Sequence, residues 1–196
     1  MTVQTLYRWG SVVTVVTALI FAAAAVSLII IPDGGLANPV APALYYFGLI
    51  LIVPTYITIY AAQAQTAGKL GFAGFLMSVI GSILYSAPIF VLMAGTSGVS
   101  TWHDLWAFAM GNILPLGATI FLIGSILLGV ATRRVGVFPR SAGLLLIIGS
   151  SLWLVAFYIS VPFLLSIANL SSAIALTWMG VSVYPRRESF PVQQTA

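Results

Sequence analysis

From Ser141 to Tyr184 the chain runs for 44 residues without a charged side chain. As one helix this run would be roughly 66 Å long at 1.5 Å per residue, about twice the ~30 Å thickness of a bilayer core. It must therefore cross, turn and cross back. Ser160-Val161-Pro162 is the natural corner, because proline suits the first turn of a new helix.

The rest of the chain follows the same rule. Only 5% of its 196 residues are charged and 61% are hydrophobic, against about a quarter charged in a soluble domain. Short polar or Gly/Pro-rich breaks divide the apolar runs at Pro32-Asp33-Gly34-Gly35, at Gln65 to Lys69, at Gly95 to Gly98 and at Arg133 to Arg140. The expected spans are about 9–31, 41–63, 71–94, 102–132, 141–159 and 163–184. Arg8 followed by an apolar, alanine-rich run resembles a signal peptide. Its continuation to Ile31 exceeds a signal core of about 7–15 residues, so a retained first span is expected. The predicted fold is all-α, a polytopic six-transmembrane-helix bundle built as three helical hairpins. It forms a single domain over 1–188, with a polar C-terminal tail over 189–196.

Charge placement tests the count. Six spans put Arg8, Lys69, Arg133, Arg134, Arg140, Arg186 and Arg187 on one side, and Asp33, His103 and Asp104 on the other. The positive-inside rule then makes both termini cytoplasmic. Tyr7, Trp9, Tyr45, Tyr46, Trp102, Trp106, Trp178 and Tyr184 fall near span ends, as an aromatic belt requires. A short repeat, Lys69-Leu70-Gly71 onward and Arg140-Ser141-Ala142-Gly143 onward, opens two helices from the same side.

Between helices in lipid, close packing and polar contacts replace much of the hydrophobic drive. Gly74, Ser78, Ser82 and Ser86 recur every four residues on one face, so they are expected to form a packing seam, with each serine bonding to its i−4 carbonyl or across the interface; the alternative is a serine-lined solute path.

Candidate chemistry concentrates in Thr101 to Arg134. Thr101 and Asp104 suit a helix start. His103 is the sole histidine and lies beside Asp104, but adjacent helical positions diverge by about 100° and do not face one another. A quinone head group, a pigment or a lipid near the outer interface could use His103; a solvated helix start explains the pair equally. Pro115 frees the Gly111 carbonyl, and Asn112 can satisfy it or bond to a neighbouring helix; the result is either a kinked polar site near mid-membrane, with Pro54 and Pro88 as companions, or an ordinary proline kink. No acid, lysine or arginine lies deep in a span, which disfavours ion-coupled transport.

With one histidine and no cysteine, no zinc or iron site forms within a single chain, and no metal ligands are assigned. Phosphate-loop and hydrolase-elbow patterns are missing, and no basic run supports nucleic-acid binding. Pro139-Arg140-Ser141-Ala142-Gly143, a basic loop leading into a helix, resembles uncharacterised six-span bacterial integral membrane proteins of domain-of-unknown-function families. That resemblance implies the inner (plasma) membrane and carries no functional residue.

The expected function is therefore a non-enzymatic accessory or assembly subunit of a larger membrane complex. Its partners would be the lipid bilayer with other membrane subunits or further copies of itself, and it would need no cofactor. The alternative is a transporter or channel for a small neutral or hydrophobic solute through Asn112 and Pro115, and a second alternative is binding of a quinone, pigment or lipid near the outer interface at His103.

Overall fold

The computed structural model describes residues 3–30, 39–96, 107–159 and 161–184. These form α1 (Val3–Ile30), α2 (Val40–Gln63), α3 (Gly68–Thr96), α4 (Leu114–Val135), α5 (Arg140–Ile159) and α6 (Pro162–Val183). A π-helical turn, Ala109–Ile113, leads into α4. All six helices are long and apolar enough to cross a membrane, and the described residues contain no strand. The protein is thus an all-α, multi-pass membrane bundle.

The boundaries follow local chemistry. Pro162 opens α6 at its first turn after an extended Val161, as the corner requires. Gly136 ends α4 in the left-handed conformation with φ 71°, and its N–H returns to the Thr132 carbonyl. Pro54 and Pro88 lie inside α2 and α3 without ending them. Thr101, the tail over 189–196, Asp33, Trp102 and Trp106 lie outside the described residues.

Each helix packs on its chain neighbours, and α1 closes the ring against α6. The tightest seam joins α3 and α4. A Cβ on Gly74 would lie 2.5 Å from the Leu128 backbone nitrogen, and one on Gly81 would lie 2.2 Å from that of Phe121. Reciprocally, Gly124 meets Ser78 and Gly117 meets Tyr85, both at backbone nitrogens. Moving along α3 from 74 through 78 and 81 to 85 moves back along α4 from 128 through 124 and 121 to 117. The pair is antiparallel, and steps of four and three residues keep small residues on one face of each helix.

The predicted seam is therefore occupied, with a different composition. Gly74, Ser78 and Ser82 are buried there, whereas Ser86 is half-buried. Ser78 Oγ donates to the i−4 carbonyl of Gly74 at 2.8 Å. Ser82 and Ser86 instead use i−3 carbonyls, those of Val79 and Ile83. Gly81, which lies off a strict four-residue repeat, makes the closest approach.

The same logic joins α4 to α5. A Cβ on Gly143 would meet the Gly129 carbonyl at 2.8 Å, and one on Gly129 would meet the Gly143 carbonyl at 3.0 Å. Both helices of the short sequence repeat, α3 and α5, thus approach α4 through a glycine. Hydroxyls stitch the remaining seams. Thr17 Oγ1 lies 3.0 Å from Thr55 Oγ1 between α1 and α2. Ser11 donates to the Gly180 carbonyl between α1 and α6. Ser171 donates to the Leu145 carbonyl at 3.1 Å between α6 and α5.

These contacts bring the described basic residues to one end of the bundle. Tyr7, next to Arg8, donates to the Ala61 carbonyl near the close of α2. Gln63 donates to Thr132, next to Arg133, at 3.1 Å. Lys69 opens α3, and Arg140 opens α5 after the tight turn from α4.

Candidate functional site

The buried face of α2 is Tyr45, Leu49, Ile52, Tyr56, Ile59 and Gln63, spaced by alternating steps of four and three. Three of these side chains reach across the ring rather than to a chain neighbour. Tyr56 shares a 2.8 Å hydrogen bond with Ser125 of α4. Gln63 bonds Thr132 of α4, and its Oε1 is buried without a hydrogen-bond partner. Tyr45 accepts from Asn169 of α6.

Asn169 is the hub of this interior. It is 2% exposed. Its Nδ2 donates to the Tyr45 hydroxyl and, at 2.7 Å, to the Leu165 carbonyl one turn back. Its Oδ1 accepts from the Trp153 indole of α5 at 3.3 Å. One amide thus ties α2, α5 and α6 together with both its donors and its acceptor engaged, as a buried amide in hydrocarbon requires.

The aromatic rings extend the cluster. Tyr45 and Tyr85 both meet Trp153 edge-on, with centroids 6.4 and 5.6 Å away. Phe21 meets Tyr45 edge-on at 6.4 Å, and Phe121 stacks on Tyr56 at 6.1 Å. Between these groups lies a cavity of about 30 Å³ that receives side chains from all six helices. Its polar lining comes from Tyr45, Tyr56, Tyr85, Ser150, Trp153, Asn169 and Ser172. Ile52, Leu122, Ser150 and Ser172 sit near the middle of their helices, so the cavity lies near the middle of the bundle's length. Among the described residues, no Asp, Glu, Lys, Arg or His lines it.

The candidates from the sequence fall elsewhere. His103 and Asp104 lie outside the described residues. Asn112 is exposed, and its Nδ2 donates to the Phe108 carbonyl at 3.2 Å, not to Gly111 as expected. The backbone accommodates Pro115 by other means. The π-helical turn lets the Leu114 N–H reach back to the Ala109 carbonyl, and Pro115 falls in the first turn of α4, where a missing N–H is tolerated.

The depth assigned to Asn112 also changes. From Arg133 to Asn112 is about 31 Å at 1.5 Å per residue, close to a full hydrocarbon thickness. Asn112 therefore lies near the far end of the apolar stretch Ala109–Val135 from Arg133, rather than at its middle. Pro115 is half-buried near that end.

Tyr45 belongs not to an aromatic belt but to the core, where it is 5% exposed. Trp9, Trp178 and Tyr184 are exposed near helix ends, where a belt would place them. The interior site is less visible in the sequence because the unusual residues concentrate on another helix. Its sequence signals were a lone amide within the apolar run of α6 and a tryptophan well inside α5.

No protein-family model matches the chain, and neither curated proteins nor solved structures include a match. Among the described residues no group of three metal-ligating side chains occurs.

Proposed function

We propose that this membrane protein binds and passes a small uncharged molecule through the centre of its helix ring, without catalysis. The observation that carries the reading is convergence. All six helices contribute to one central cavity, and its hydrogen-bonding groups are hydroxyls, an amide and an indole. Such groups suit a neutral molecule with both a donor and an acceptor. An ion would face the large cost of charge at the bilayer centre with no countercharge in the lining.

A single water needs about 10–15 Å³ of such space. The cavity, at about 30 Å³, therefore holds about two or three molecules of that size in the closed conformation. The solute class is a molecule of one to a few non-hydrogen atoms. Passage requires the ring to open at the Trp153 and Tyr45 level, where edge-to-face rings fill the interior. The transport reading thus moves from Asn112 and Pro115 to Asn169, Tyr45 and Ser150.

The accessory-subunit reading rests on the apolar exterior, which lipid alone accounts for. The orientation we propose has both termini and the basic end in the cytoplasm, on the positive-inside rule.

The test is stopped-flow light scattering on proteoliposomes with water, urea and glycerol as probes. Permeability to at least one probe should exceed that of protein-free liposomes and fall to their level in Ser150→Trp, which fills the cavity. Wild-type permeability equal to that of empty liposomes for all three would overturn the proposal. Stoichiometric foreign subunits in a mild-detergent pull-down, together with that null flux, would favour the contact reading instead.

A further inference from the structure

At the basic end, α4 and α5 frame an open cleft of about 490 Å³ lined by Arg133, Arg134, Arg140, Val130 and Ile147. The two helices are held close by the glycine contact. A Cβ on Gly143 would lie 3.0 Å from the Arg133 backbone nitrogen, so the last turn of α4 sits against the first turn of α5. The linking turn is fixed by left-handed Gly136 and by Phe138, which is 2% exposed and anchored in the core. Three arginines thereby border one cleft.

Nothing described neutralises them. Asp33, Asp104 and Glu188, the only acids, lie outside the described residues. The amino end of α5, at Arg140, adds its own positive potential. Like charges gathered this way repel unless an anion joins them. Guanidinium geometry matches phosphate oxygens in a bidentate manner.

The depth of the lining decides which phosphate. The arginines cap the helix ends, at the level of lipid headgroups. Val130 lies about one turn deeper on α4 than Arg133 and Arg134, and Ile147 about two turns deeper on α5 than Arg140. Both are half-buried and apolar. A free phosphate would fill only the basic mouth. A phospholipid would place its phosphate among the arginines and an acyl chain along Val130 and Ile147.

We infer that this cleft is a specific site for an anionic phospholipid. Basic pockets between membrane helices at the cytoplasmic face are suited to such headgroups. The site is separate from the central cavity and stands whether or not a solute passes there.

The test is native mass spectrometry of the detergent-purified protein, offered equal amounts of phosphatidylglycerol and phosphatidylcholine with identical acyl chains. Each engaged arginine contributes about fivefold in affinity. Phosphatidylglycerol should therefore be retained at least about tenfold over phosphatidylcholine. The combined Arg133→Gln, Arg134→Gln, Arg140→Gln variant should retain both lipids equally. Val130→Trp, which narrows the apolar wall and leaves every charge in place, should lower phosphatidylglycerol retention. It decides the matter if the triple variant does not fold. Equal retention of the two lipids by the wild type, or unchanged phosphatidylglycerol retention in Val130→Trp, would overturn the inference. So would displacement of phosphatidylglycerol by millimolar inorganic phosphate, which would make the cleft a free-anion site.

Discussion

Gly81→Ala should destabilise the bundle although alanine is the better helix former. In an exposed helix the exchange would gain about 1 kcal/mol. Here the new Cβ would lie 2.2 Å from the Phe121 nitrogen and 2.5 Å from its Cα. Ordinary contact begins near 3.4 Å, so α3 and α4 would have to separate by roughly 1 Å, losing dispersion contacts along the seam. Both obstructing atoms are backbone, so no rotamer change relieves the clash.

Overpacking of this kind costs about 1–3 kcal/mol and occasionally more. The close approach puts it at the upper end, and after the propensity gain a net loss of about 1–2 kcal/mol is expected. The assay is reversible unfolding in mixed micelles by sodium dodecyl sulfate titration, followed by circular dichroism. Gly111→Ala is the matched control. It is exposed with no heavy atom within 4 Å of its would-be Cβ, so it should be neutral or stabilising by up to about 1 kcal/mol. If Gly81→Ala were as stable as Gly111→Ala, the interlocked seam would be refuted.

Two further results are expected. Asn169→Leu strands the Trp153 indole and the Tyr45 hydroxyl, and should cost about 1–2 kcal/mol, near the upper range for hydrogen bonds between membrane helices. It should also shift the tryptophan emission. Asn112→Leu should change stability by less than about 0.5 kcal/mol, as exposed substitutions do; equal losses from the two would remove Asn169 as the hub. Because the chain lacks cysteine, single cysteines report topology without background. Thr66→Cys and Arg140→Cys should both react with an impermeant maleimide from the cytoplasmic side only, and labelling from opposite sides would refute the shared basic end.

The sequence alone determined the class and the span count. Charge is so costly in hydrocarbon that ten charged residues must collect at the ends of the apolar runs, and their positions read almost directly as helix boundaries. Pro162 and Gly136 marked turns because each has a backbone restriction or freedom that acts locally. The face of α2 running from Tyr45 to Gln63 was also present in the spacing, though residue types near span ends suggested a belt for Tyr45 instead.

Tertiary structure decided what those faces meet. Helices in this chain are apolar on nearly every side, so composition does not say which side looks inward. Asn112 and Asn169 are both amides in apolar runs, yet one is exposed and the other is the buried hub. The difference arises from which face of each helix its neighbours cover, and glycine contacts between successive helices help set that packing. The same contacts gather Arg133, Arg134 and Arg140 around one cleft and bring six separate helices to one cavity. Such convergence is a property of the closed ring, and no single segment carries it.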